Sequence, residues 1–131
     1  MNSGNPQKFL VETDIILDHL YYDSDEDSYL LKLMKTGICF TTVLNAAELL
    51  FNAGSEKEKS LITDVLTAFK ILGLNSRYAL STFNFSNKVE NVRDSLIAIV
   101  ADYNDLTIVT TNAAKYSNTK LNIIHPQQIR G

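Results

Sequence analysis

Apolar and polar positions alternate along this chain in short blocks, and the period changes from block to block. Phe9-Leu10-Val11, within Lys8 to Val11, is a short continuous apolar run that predicts a first strand. From Asp14 onward Ile15, Ile16 and Leu20 fall at helical spacing. The acids Asp23, Asp25, Glu26 and Asp27 predict the start of a second helix, where carboxylates favour the positive dipole end. That helix runs to about Lys35 and stops at Gly37. Ile38 to Thr41 predicts a second strand, after which Thr41 or Thr42 caps a helix reaching Asn52 and ending at Gly54.

Ser55 to Ile71 carries Leu61, Ile62, Val65, Leu66 and Phe69 at helical spacing, with Gly73 as the stop. The stretch Asn75 to Asn87 is also predicted helical. In Asn91 to Tyr103, Val92, Leu96, Ile99, Val100 and Tyr103 form one stripe of a strong helix. Thr107 to Thr110 is a third clear strand and Leu121 to Ile124 a last one. Short apolar strands separated by helices imply an α/β fold, a mostly parallel sheet covered on both faces. Residues 1–131 are predicted to form a single domain, with residues 1–7 as a loose lead-in.

Composition narrows the function class. An apolar fraction of 45% supports a core without disulfides, and the lone Cys39 predicts a reduced, buried thiol in a cytoplasmic protein. The first residues lack the layout of a signal peptide, and no apolar run nears the roughly 18 to 20 residues of a membrane span. A net charge of −3 argues against a DNA-binding module, but less against a nuclease, whose site must itself be acidic.

Ligands of an open α/β sheet bind beyond the carboxyl ends of its strands. Glu12, Thr13 and Asp14 follow the first strand; Thr110, Thr111 and Asn112 follow the third. Glu12 and Asp14 are two apart, so an extension of the strand aims both carboxylates the same way. Glu48 lies in the helix after the second strand, and Asp94 in the first turn of the helix before Thr107. Such an oxygen-rich set, free of Cys and His, suits Mg²⁺ or Mn²⁺, which can activate water against a phosphodiester. The blander readings are a helix N-cap for Asp14, turn residues for Thr110 and Asn112, and a solvated polar stripe for Asn45, Glu48 and Asn52. Arg93 reads as a surface or salt-bridging residue, and the Tyr and Phe positions as core.

The order and wording of these blocks resemble the PIN-domain family of nucleases, in particular the small toxins of VapBC type. Val11 to Asp18 resembles its opening strand and turn, Thr41 to Leu50 its block with a helical Glu, here Glu48. Arg93-Asp94-Ser95-Leu96-Ile97-Ala98 resembles the third block, and Ile108 to Asn112 with Tyr116 the fourth. Ile123-Ile124-His125-Pro126 resembles the closing strand; residues 55–88 carry the least resemblance. The resemblance implies a three-layer α/β/α sandwich and a metal-dependent endoribonuclease with Glu12, Glu48 and Asp94 as catalytic metal ligands. Asp14, Thr110 and Asn112 would support them. It implies an RNA substrate, a small antitoxin partner and a homodimer.

Two positions depart from the family pattern: Glu12 stands where the family has Asp, and Asn112 replaces a possible fourth acid. Glu12 motivates the alternative of a catalytically weakened RNA-binding or protein-interaction module. A phospho-receiver site is disfavoured because Asp94 precedes a helix instead of following a strand.

Overall fold

The computed structural model describes residues 6–129. Its elements in chain order are β1 (Gln7–Val11), α1 (Thr13–Leu20), α2 (Tyr29–Thr36), β2 (Gly37–Thr42), α3 (Val43–Phe51) and α4 (Glu56–Leu66). There follow β3 (Lys70–Leu72), α5 (Tyr78–Ser81), α6 (Val92–Asn104), β4 (Thr107–Val109) and β5 (Ile123–Ile124). Short 3-10 turns cover Thr82–Phe85, Ala113–Tyr116 and Pro126–Gln128.

The five strands form one parallel sheet in the order β3-β2-β1-β4-β5. The alternation of side chains along β1 divides the core between the two faces. Phe9 and Val11 join Cys39 and Val109 on the face packed by Ile15, Ile16, Leu30, Leu33, Leu49, Ile62 and Leu66. Leu10 joins Ile108 on the other face, under Ile97, Ala98, Val100 and Ala101 of α6. The register pairs Phe9 with Cys39, Leu10 with Ile108 and Val11 with Val109, so each inward row is continuous across the sheet. This is the three-layer α/β/α sandwich with a parallel centre. Burial pushes the Cys39 thiol up to about 11, in keeping with an inert core thiol.

Several predicted boundaries shift. The strand β1 starts at Gln7, inside the predicted lead-in; residues 1–5 of that lead-in lie outside the described residues. The helix predicted over Ser55 to Ile71 ends at Leu66, and Lys70–Leu72 instead pairs with Phe40, Thr41 and Thr42 as an edge strand. Helix α2 starts after the acidic run, with Ser28 as its N-cap accepting from the Leu31 N–H at 3.3 Å. A hydroxyl cap satisfies that amide directly, and the four acids remain in the preceding loop. The Asn75 to Asn87 region holds only the short α5 and a 3-10 turn. In α6 the predicted stripe is rotated: Val92 and Tyr103 are 67% and 62% exposed, whereas Asp94, Ser95, Ile97 and Ala98 are buried.

Gly37 joins α2 directly to β2, and a Cβ there would lie 2.4 Å from the Gln7 carbonyl oxygen. The close approach of β2 to β1 therefore requires glycine. Among the described residues, no helix is long and apolar enough to cross a membrane.

Candidate active site

From β1 the sheet is filled through β2 in one direction and β4 in the other, so the chain reverses direction of growth between β1 and β4. A crevice opens beyond the carboxyl ends of the strands at such a switch point. Here it is a cleft of about 850 Å³, with Glu12, Asp14, Glu48, Arg93, Asp94 and Lys115 among its lining.

Each side chain reaches the cleft for a local reason. Glu12 is the first residue past β1; its N–H still bonds the Val109 carbonyl at 3.1 Å, which extends the ladder and fixes the residue's direction. It is also the N-cap of α1, though its side chain caps nothing and points into the crevice, 1% exposed. Glu48 comes from α3, which Thr42 starts through a capping box: the Thr42 hydroxyl accepts from the Leu44 and Asn45 amides. Arg93 and Asp94 stand in the first turn of α6, whose N-cap Asn91 accepts from the Asp94 N–H at 2.8 Å.

The three acids meet at Arg93. Its Nη1 donates to Glu12 Oε2 at 2.9 Å and Asp94 Oδ1 at 3.1 Å. Its Nη2 donates to Glu12 Oε1 at 2.7 Å and Glu48 Oε1 at 2.8 Å, and its Nε donates to Glu48 Oε2 at 3.0 Å. A guanidinium has five N–H bonds, so all of them are spent on carboxylates. Lys115 adds a second cation, its Nζ lying 3.4 Å from Glu12 and 3.5 Å from Asp94.

Glu12 collects further donors. Asn45 Nδ2 donates to Oε1 at 2.9 Å and the Tyr116 hydroxyl donates to Oε2. Asn45 is fully buried, its own oxygen held by the Thr42 N–H and hydroxyl, so its amide group is aimed rather than free to turn. Burial alone would push the Glu12 carboxyl up. The hydrogen bonds and charge of Arg93, with Tyr116 and Lys115, outweigh that and hold it below the usual carboxylate range. Glu48 is likewise lowered: burial opposes ionisation, but Arg93 and the Thr13 hydroxyl, donating at 2.6 Å, prevail. Burial and the adjacent negative charge of Glu12 raise Tyr116 strongly, so its hydroxyl stays a donor.

Asp14 is held apart from this cluster. It is inside the first turn of α1 and does not cap it. Its carboxylate accepts from the Thr111 N–H at 2.7 Å, the Thr111 hydroxyl at 2.6 Å and the Thr110 hydroxyl at 3.2 Å. That clamp joins α1 to the end of β4. Thr110 also accepts from the Asn112 N–H at 3.1 Å, which shapes the turn leading to Lys115 and Tyr116.

The structure thus brings together Glu12, Glu48 and Asp94 and puts Asp14, Thr110 and Asn112 along the same cleft. Asn45 proves to be a buried anchor, not part of a solvated stripe. Arg93 does bridge salts, but at the hub of the site rather than on the surface. Lys115 gave no sequence signal beyond its place beside Tyr116. Tyr116 is core, as predicted, yet its hydroxyl serves Glu12.

The donor set fits a hard divalent cation by its chemistry: all oxygen, three carboxylates, gathered about one positive charge. As positioned, no group of three acids, histidines or cysteines among the described residues is spaced to hold an ion. The Arg93 guanidinium stands between them.

Solved structures with this fold include VapBC2 from Rickettsia felis bound to a promoter DNA fragment, with a TM-score of 0.76 at 19% identity, covering 91% of this chain and 98% of that one. VapBC-1 from nontypeable Haemophilus influenzae gives 0.76 at 17% identity, covering 93% and 100%. FitAcB from Neisseria gonorrhoeae gives 0.71 at 19% identity, covering 92% and 99%. Among curated proteins none matches the chain significantly. The family model described as PIN domain matches residues 9–120, most of the chain including every cleft residue described above, and the chain therefore belongs to the PIN domain family.

Proposed function

We propose that this protein is a divalent-metal-dependent endoribonuclease, the toxin of a toxin–antitoxin pair. The observation that carries the reading is the convergence of Glu12, Glu48 and Asp94, from three separate segments, on one positive centre in the switch-point cleft. Glu12, Glu48 and Asp94 would hold Mg²⁺ or Mn²⁺. A bound divalent cation supplies Lewis acidity toward a phosphodiester and makes water a stronger nucleophile.

The protein's own groups do the rest. Tyr116 and Asn45 hold the Glu12 carboxylate in place, so its position does not depend on the ligand. Asp14 fixes Thr110 and Thr111 and with them the rim at the end of β4. Lys115, 22% exposed in its side chain, supplies positive charge that attracts an anionic RNA backbone into an otherwise acidic cleft. The outer cleft carries exposed Leu17, Tyr21 and Leu61, an apolar wall that a small antitoxin protein would cover. The VapBC complexes that share the fold support such a partner, and homodimerisation and a cytoplasmic setting belong to the same reading.

A second reading is a PIN-like module that binds RNA or protein without cutting. Its support is that both Glu12 oxygens are already occupied by protein donors. Incubating a panel of RNAs with Mg²⁺ or Mn²⁺ separates the two. Cleavage that falls at least a hundredfold in Asp94→Ala and Glu48→Ala supports the nuclease. Cleavage indifferent to both substitutions would sink this site. RNA retention without cleavage, with cutting gained in Glu12→Asp, would favour the module.

A further inference from the structure

The place of Arg93 is chemically unusual. The first turn of a helix is a poor location for a cation, because the dipole there is positive. The guanidinium is held at that turn by carboxylates alone, with all five N–H donors directed to Glu12, Glu48 and Asp94. One nitrogen, Nη2, lies 2.7 Å from a Glu12 oxygen and 2.8 Å from a Glu48 oxygen, so it bridges the two acids.

Charge balance points the same way. Glu12, Glu48 and Asp94 carry three negative charges against the two positive charges of Arg93 and Lys115. Without Arg93 the remaining surplus is two, the charge that one divalent cation neutralises. The side chain borders open space: it lines the cleft and is 25% exposed, whereas Glu12 beneath it is 1% exposed and pinned by Asn45 and Tyr116. Glu12 and Asp94, 1% and 6% exposed in their side chains, are the fixed part of the centre, whereas Arg93 and Glu48, 25% and 38% exposed, are the parts with room to move.

We propose that Arg93 is an exchangeable internal counter-ion, which occupies the cation position of the acidic centre and leaves it when a divalent cation binds. This rests on the reading of Glu12, Glu48 and Asp94 as metal ligands. The folded protein then stays complete without metal, and metal loading is a competition with one of its own side chains. Affinity for divalent cations is weakened by the cost of breaking five charge-assisted hydrogen bonds.

Calorimetric titration with Mn²⁺ of the wild type and of Arg93→Gln tests the competition directly. Arg93→Gln is expected to bind Mn²⁺ at least tenfold more tightly, and Arg93→Gln/Glu48→Gln to lose that gain. Equal or weaker binding by Arg93→Gln, with clear binding by the wild type, overturns the counter-ion and leaves the metal centre standing. No binding by either protein overturns both. A measurement on the wild type alone does not depend on how the variant folds: the Arg93 Nε–H resonance followed by NMR during Mg²⁺ titration. A shift with faster solvent exchange is expected as Mg²⁺ saturates; an unmoved, protected resonance at saturation overturns the exchange.

Discussion

Glu12 and Arg93 face each other in a parallel, two-pronged pair, Nη1 to Oε2 at 2.9 Å and Nη2 to Oε1 at 2.7 Å, although 81 positions separate them in sequence. The pair ties the end of β1 to the start of α6, and so closes the cleft at its base. Its stability consequences are measurable without any knowledge of substrate.

Removing the cation leaves an acid buried without its main partner, and loss of one member of a buried pair is far more damaging than loss of both. Arg93→Ala is expected to lower unfolding free energy by about 3 kcal/mol, the low end of the usual range because Lys115 and Tyr116 remain. Urea denaturation followed by circular dichroism gives the value. A loss under about 0.5 kcal/mol, the size of an ordinary surface change, would contradict the ion-pair hub.

Tyr116 offers a subtler deletion. Its ring is fully buried under the α6 face of the sheet while its hydroxyl reaches Glu12. Tyr116→Phe keeps the packing and removes one donor from a buried charge, a loss of about 1–3 kcal/mol. A thermal melt indistinguishable from wild type would show that Glu12 does not need the hydroxyl.

The same carboxylate makes stability depend on acidity. Glu12 and Glu48 release their protons more readily in the folded protein than at the ordinary value of 4.5. Protonation therefore favours the unfolded chain, and the stabilisation, present in full above that value, is lost as pH falls toward the lowered folded values. Denaturation between pH 7 and 3 should show a plateau, then a decline below about pH 4.5 that is shallower in Glu12→Gln. An identical decline in that variant would remove Glu12 from the explanation.

Gly37 tests the sheet rather than the cleft. A methyl group there would meet the Gln7 carbonyl oxygen, a backbone atom with no freedom to turn aside. Gly37→Ala is expected to cost about 1–3 kcal/mol, as overpacking does. Chemical denaturation that finds Gly37→Ala as stable as wild type would show that β2 can move away from β1 at no cost.

The strands at the heart of the sheet were legible because burial on both faces demands unbroken apolar runs: Phe9-Leu10-Val11 and Ile108-Val109 are continuous in sequence and supply both core faces. The edge strand Lys70–Leu72 was not. It is three residues long and mostly exposed, and its apolar residues continue the spacing of Leu61, Ile62, Val65 and Leu66. Only pairing with Thr42 and its neighbours distinguishes it from one more helical turn. Likewise, Asn45 shares the helical spacing of Glu48 and Asn52. Its burial depends on where α3 lands against Glu12, which no local pattern records.

The sequence alone determined a mostly parallel sheet covered on both faces and which acids lie near the strand ends, because periodicity and chain order act locally. The family and its three-layer sandwich were legible only through the resemblance of the blocks around Glu48, Asp94 and Asn112. The tertiary structure decided what those acids do with their charge. Arg93 reads along the chain as one more basic residue beside an acid; folding places three carboxylates around it at hydrogen-bond distance. Desolvation in the cleft makes each of those charges dependent on the others. The cation that balances Glu12, Glu48 and Asp94 is therefore a property of the folded cleft, set by distances that no spacing along the chain contains.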